Sequence, residues 1–197
     1  LNPNSIYMSK YFYPLIENPF SDNDIKKGIR VLKSKQLTLS IETRNFEKNF
    51  SKKIKSKYSL MVNSGSSANL LALQCLINPY RKKKLKQGDE ILIPTLCWST
   101  SLWPIIQSNL KPIFVDINPT TLNIDENEIE KKISKKTKAI LLVHVLGNSC
   151  DMKKIMKIKK KYNLILIEDN CESLGSKYSG KYLGTFGEFS SFSFYTS

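Results

Sequence analysis

Long hydrophobic runs are missing from this sequence. The longest, residues 139–146, contains His144 and is strand-length, far short of the roughly 20 apolar residues a helix needs to cross a bilayer. No membrane span is expected. Arginine is scarce as well: Arg30, Arg44 and Arg81 are the only ones in a 197-residue chain of formal charge +14. Phosphate recognition on nucleic acids favours clustered guanidinium forks with aromatic neighbours. The charge here is lysine, spread over what read as solvent faces, such as Lys153, Lys154, Lys157 and residues 159–161. A solvated surface with incidental attraction for acidic ligands is expected, and no nucleic-acid partner. Histidine occurs once, as His144 in an apolar strand, with no partner at metal-ligand spacing; a packed, hydrogen-bonded role is expected. Cys75, Cys97, Cys150 and Cys171 show neither CxxC nor metal spacing and are too few for a disulfide scaffold. No metal is expected, and a reducing cytoplasm is the simplest compartment. No basic stretch leads into an apolar core at Leu1, so no secretory signal is expected, and both ends read as cut.

An apolar content of 41% is enough to bury a core. The pattern alternates. Ser21-Asp-Asn-Asp24 reads as a helix start, followed by Ile25, Ile29 and Leu32 on one face. A second helix carries Phe46 and Phe50. Residues 58–62 read as a strand, 64–67 as a break and 68–77 as a helix. Strands are then expected at 91–95, 113–117, 139–145 and 164–167, with helices at 99–107, 125–133 and 152–162; the basic cluster 81–84 falls in a loop. Strands alternating with helices across short joins predict an α/β domain with a mostly parallel sheet covered on both faces. Ligands gather at the carboxyl ends of such strands. Residues 64–67, Cys97-Trp98 and 169–172 are all expected there. No internal repeat, low-complexity linker or second-domain boundary is visible.

Three features could carry chemistry. Ser64-Gly-Ser-Ser67 opens a helix, where unpaired amides and the helix dipole favour an anion, and Gly65 permits close approach of a phosphate. Ordinary capping is the alternative. The turn lacks the Gly-Lys-Ser/Thr of a nucleotide P-loop and the spacing of the dinucleotide fingerprint. A small phosphorylated cofactor fits it better. Asp169 ends a strand in Ile-Glu-Asp, where a carboxylate can pair with a ring nitrogen and keep it protonated, making a pyridinium an electron sink; a metal ligand or a helix cap are the other uses of such an acid. Trp98 could stack on a planar ring, or serve as a core or interface aromatic.

In combination and in order, further motifs accompany these: Phe46-Glu47, Val62-Asn-Ser-Gly-Ser-Ser-Ala68, Gly88-Asp-Glu90 with Ile93-Pro94, Phe114-Val-Asp116, Thr137-Lys-Ala-Ile140, Val143-His144 with Gly147, Glu168-Asp169 with Gly175, and Gly184-Thr-Phe-Gly187 before Ser193-Phe194. From Tyr13-Pro14-Leu15 onward the chain resembles the DegT/DnrJ/EryC1/StrS family of pyridoxal-phosphate enzymes acting on nucleotide-linked keto sugars. The resemblance implies an aspartate-aminotransferase-type (fold type I) large domain. Residues 1–197 would be its N-terminal part, without the C-terminal small domain, since family proteins are roughly twice this length. It also implies roles. Gly65, Ser66 and Ser193 would hold the cofactor phosphate, Trp98 would lie against the pyridine, Asp169 would pair with its nitrogen and Glu172 would sit near the ring hydroxyl. The reactive residue would fall immediately after Ser197, so no catalytic residue is expected within this chain, and the chain alone is expected to be inactive.

Two chemistries share this scaffold. A lysine at that position serves transamination, whereas a histidine serves the 3-dehydratase branch, where it removes a proton and the sugar 3-hydroxyl leaves. Glu168-Asp-Asn-Cys-Glu-Ser173, Cys97-Trp-Ser-Thr100 and Ser193-Phe-Tyr-Thr-Ser197 resemble the dehydratases more than the aminotransferases, which often read Glu-Asp-Ala/Cys-Ala-Gln at the first segment. The resemblance thus implies C3 deoxygenation of a nucleotide-linked 4-keto-6-deoxyhexose for surface polysaccharide or lipopolysaccharide synthesis, with pyridoxal or pyridoxamine phosphate and a homodimer. Some relatives on this branch use an iron–sulfur reductase partner; others take the amine from glutamate. An aminotransferase, or a cofactor-binding remnant without catalysis, are the alternatives.

Overall fold

The computed structural model describes residues 19–195; the Tyr13-Pro14-Leu15 motif and Ser197 lie outside them. The elements run α1 (Asp22–Ser34), α2 (Ile41–Ile54), α3 (Gly65–Ile77), β1 (Glu90–Pro94), α4 (Ser99–Gln107), β2 (Lys111–Val115), α5 (Glu126–Lys132), β3 (Thr137–Val143), α6 (Met152–Tyr162), β4 (Ile165–Asp169), β5 (Lys177–Tyr178), β6 (Lys181–Tyr182) and β7 (Phe189–Ser191). The chain divides into two compact units at Arg44, with Tyr195 grouped with the first. No linker marks that boundary, because α2 runs across it as continuous helix.

In the first unit α1 begins with the capping box read from the sequence: the Ser21 hydroxyl takes the Asp24 amide, and the Asp24 carboxylate takes the Ser21 amide. Its apolar stripe of Ile25, Ile29 and Leu32 stays exposed. Arg30 and Glu42 form an exposed ion pair at 2.7 Å.

The second unit is built on a five-stranded sheet of order β2-β1-β3-β4-β7, parallel throughout. Successive side chains alternate across it. Ala139, Leu141 and Val143 of β3 pack with Leu73 and Leu76 of α3 and Ile105 of α4. Ile140 and Leu142 face the other way, toward Ile129 of α5 and Ile155 and Ile158 of α6. Helices therefore cover both faces, and the central strands read as continuous apolar runs because neither face meets water. No helix among the described residues is long and apolar enough to span a membrane.

Residues 58–62 are not a strand. The Met61 amide donates to the Glu47 carboxylate at 2.8 Å instead of joining the sheet, and Tyr58 and Leu60 stay exposed. The turn before α3 is thus entered from an extended loop held by α2. Two elements escaped the sequence reading: the β5–β6 hairpin, whose strands are two residues each, and β7, which is three residues long and carries the sheet to its last position.

Candidate functional site

The carboxyl ends of β3, β4 and β7 and the N-terminal turns of α3 and α4 meet around Asp169. It closes β4 and is only 4% exposed. Its Oδ2 accepts from Asn69 Nδ2 and from Ser101 Oγ, both at 2.7 Å, and its Oδ1 accepts from the Cys171 amide at 3.1 Å. Asn69 is in turn fixed by the Ser191 hydroxyl, which donates to its Oδ1 at 2.6 Å. The helices supply the donors. Asn69 lies on the second turn of α3 and Ser101 on the first turn of α4, each a buried polar residue on an otherwise apolar packing face. A carboxylate fully oriented by three donors, at the ligand end of a parallel sheet, can receive the N–H of a cationic heterocycle.

The N-terminus of α3 lies beside it. Ser64 caps the helix through its hydroxyl to the Ser67 amide, and its carbonyl takes the Ala68 amide. The amides of Gly65 and Ser66 are then the helix's donors toward an anion. A Cβ on Gly65 would lie 2.8 Å from Cys171 Sγ and 3.0 Å from Ser193 Cβ. Glycine is therefore demanded by the packing of α3 against residues 171 and 193, a cause the sequence did not show when it suggested room for a phosphate. The same contact brings Ser193 to the helix terminus. The aromatic residues on either side of Ser193 are gripped by α2: Phe192 meets Phe50 edge-on at 5.1 Å, and Phe194 meets Phe46 at 5.4 Å.

Gly65, Ser193 and Asp169 are thus joined by a contact chain through Cys171. Ser66 is on the exposed side of the first turn of α3. Trp98 is the N-cap of α4, one turn before Ser101, and is 70% exposed among the described residues. Glu172 lies three residues past Asp169, and its carboxylate accepts the Leu146 amide at 2.7 Å. The residues the sequence reading missed are Asn69, Ser101 and Ser191. Their only signal is a single short polar residue within an apolar element.

Burial, and then the negative charge of Asp169, push Cys97 and Cys171 upward from the ordinary thiol range, so both carry their protons. All four cysteines are free, and among the described residues no cluster could hold a metal ion. His144 is packed, as expected: it is fully buried and bonded to Glu168 and to the Cys150 amide.

Known proteins are similar to this chain. A GDP-4-keto-6-deoxy-D-mannose 3-dehydratase of Yersinia pseudotuberculosis is 40% identical over 181 residues, 92% of this chain and 46% of the relative. A GDP-perosamine synthase of Escherichia coli O157:H7 is 41% identical over 152 residues, 77% of this chain and 40% of the relative. The solved structure of the Escherichia coli GDP-4-keto-6-deoxy-D-mannose-3-dehydratase with bound hydrated PLP superposes with a TM-score of 0.85 at 43% identity, over 89% of this chain and 45% of that one. The chain spans about half the length of these relatives. The model of the DegT/DnrJ/EryC1/StrS aminotransferase family matches residues 20–197, and the chain belongs to that family.

Proposed function

We propose that this chain is the N-terminal part of the cofactor-binding large domain of a pyridoxal- or pyridoxamine-phosphate enzyme that removes the 3-hydroxyl of a nucleotide-linked 4-keto-6-deoxyhexose. The observation that carries the reading is the buried Asp169 carboxylate, joined by packing through Cys171 to the α3 N-terminus and Ser193. It brings together the two groups a phosphorylated pyridine calls for, a helix N-terminus for the phosphate and an acid for the ring nitrogen. Similarity to a PLP-bound structure supports the same assignment.

In this reading the Gly65 and Ser66 amides and the Ser66 and Ser193 hydroxyls hold the phosphate. The Trp98 indole lies against one face of the ring and excludes water from it. Asp169 holds the ring nitrogen protonated, with Asn69, Ser101 and the Cys171 amide keeping the carboxylate aimed. Glu172 sits near the ring hydroxyl. When bound, the cofactor supplies an electron sink conjugated to the substrate. The proton at the sugar is moved by the residue that follows Ser197, a histidine in the dehydratase reading. A homodimer in the cytoplasm, acting in surface polysaccharide or lipopolysaccharide synthesis, completes the proposal; an iron–sulfur reductase or glutamate would supply the reducing equivalents or the amine.

Transamination is the second reading, favoured by the match to a GDP-perosamine synthase. It keeps the cofactor and the substrate class and places a lysine after Ser197. Mass spectrometry of the product made by the full-length protein separates the two. With pyridoxamine phosphate or glutamate and a 4-keto-6-deoxy nucleotide sugar, release of a 3-deoxy sugar is expected; a stable amino sugar as sole product would leave transamination.

A further inference from the structure

Two acids stand side by side at the end of β4, and the pleat sends them to opposite faces. Asp169 meets α3 and α4. Glu168 points the other way and is fully buried. Its Oε1 accepts the Phe186 amide at 2.8 Å and the Gly187 amide at 2.7 Å; its Oε2 accepts the Gly184 amide at 2.9 Å and faces His144 Nε2 at 3.4 Å. Since His144 Nδ1 accepts from the Cys150 amide at 3.2 Å, the ring proton resides on Nε2 and is donated to Glu168. Four donors converge on one carboxylate, and three of them are amides of the single turn 184–187.

That turn is tightly drawn. Gly184 has φ +83° with the Phe192 ring 2.5 Å from where its Cβ would be, and a Cβ on Gly187 would collide with the Leu166 carbonyl. Glu188 continues it, its amide donating to the Leu166 carbonyl at 2.9 Å and its carboxylate accepting the Leu166 amide at 2.8 Å. β7 starts at the next residue, in register with β4: Phe189 beside Ile167, Ser190 beside Glu168 and Ser191 beside Asp169. From there Ser191 reaches Asn69, and Ser193 reaches Gly65.

We propose that Glu168 is a positioning residue for the cofactor site: by collecting the 184–187 amides it fixes where β7 begins, and so places Ser191 behind the Asp169 network and Ser193 at the phosphate end. This rests on the cofactor reading above. Glutamine fills the same space, but its NH₂ meets donors where a carboxylate oxygen accepted them. Aspartate keeps the charge and withdraws it from the turn.

The test compares Glu168→Gln and Glu168→Asp with the unsubstituted full-length protein, by amide hydrogen exchange and by equilibrium dialysis with pyridoxamine phosphate, at a temperature where melting curves show the folded state. Faster exchange confined to residues 184–193, with β1 and β3 unchanged, is expected. Pyridoxamine phosphate affinity should fall about tenfold or more in Glu168→Gln, and less in Glu168→Asp. Should Glu168→Gln fail to fold, Glu168→Asp carries the comparison. Unchanged exchange in 184–193, unchanged affinity, or failure of both variants to fold would overturn the positioning role while leaving the cofactor reading intact. Failure of the unsubstituted protein to bind pyridoxamine phosphate would overturn the cofactor reading and this inference with it.

Discussion

Asp169 shows how much a single carboxylate depends on residues both beside it and far away in sequence. Its partners come from positions 69, 101 and 171, with 191 behind them, and each is a short side chain or an amide of no distinctive pattern. The acid itself was legible because it ends an apolar strand; the donors were not, because their meeting is a property of the fold. Asp169→Asn separates the two roles. Asparagine keeps an acceptor toward Asn69 and Ser101 but turns its NH₂ toward the Cys171 amide, so stability should fall by about 1–2 kcal/mol. Turnover of the full-length enzyme with cofactor bound should fall by at least about tenfold, because a neutral amide no longer holds the ring nitrogen protonated. Unchanged turnover with bound cofactor would remove Asp169 from that role. Cys97 and Cys171 should also label slowly with iodoacetamide near neutral pH in the folded protein and rapidly after denaturation, since burial and the Asp169 charge keep both protonated; rapid labelling of Cys171 in the folded protein would contradict that environment.

At the scale of elements, the start of β1 offers a test that does not involve the site. The Ser134 hydroxyl donates to Glu90 at 2.5 Å and the Thr137 hydroxyl at 3.3 Å, fastening β1 to the entry of β3. The Ser134 bond first, and Thr137, Lys111 and Lys136 after it, hold the Glu90 carboxyl below the ordinary glutamate range against the opposing effect of burial. A lowered folded value contributes stability that is complete above the unfolded value of about 4.3 and is lost as pH falls through the folded value. Glu90→Gln should therefore reduce stability by about 1–2 kcal/mol near neutral pH, with the gap from the unsubstituted protein closing in acid. Denaturant midpoints across pH measure it, and a gap that stays constant or widens in acid would contradict the assignment. Helix α6 lies where its spacing put it, because a buried stripe and the Asp151 cap both mark it, and α4 is marked by its buried Ser101, Pro104 and Ile105 without a side-chain cap. Residues 58–62 misled for the opposite reason. The short run Tyr58-Ser-Leu-Met-Val62 read as a strand, but a side chain of α2 claims an amide there, and sheet partners are not written into a segment's own pattern. The β7 strand is too short to show any period.

For the whole molecule, the alternation of strands and helices was enough to give a parallel sheet covered on both faces, since each central strand is apolar on both sides. The lysine-rich charge of +14 says little about that fold, but it bears on how the central claim is measured. Pyridoxal phosphate forms adducts with surface lysines through its aldehyde, whereas pyridoxamine phosphate has no aldehyde and reports the site alone. Equilibrium dialysis of pyridoxamine phosphate with the full-length protein is thus the most direct measurement. Saturable binding of about one equivalent per chain is expected, weakened by about 1–3 kcal/mol in Ser66→Ala and again in Ser193→Ala, the range for a hydrogen bond to a charged group. No saturable binding, or affinity unchanged in both variants, would contradict a phosphate held between the α3 N-terminus and Ser193.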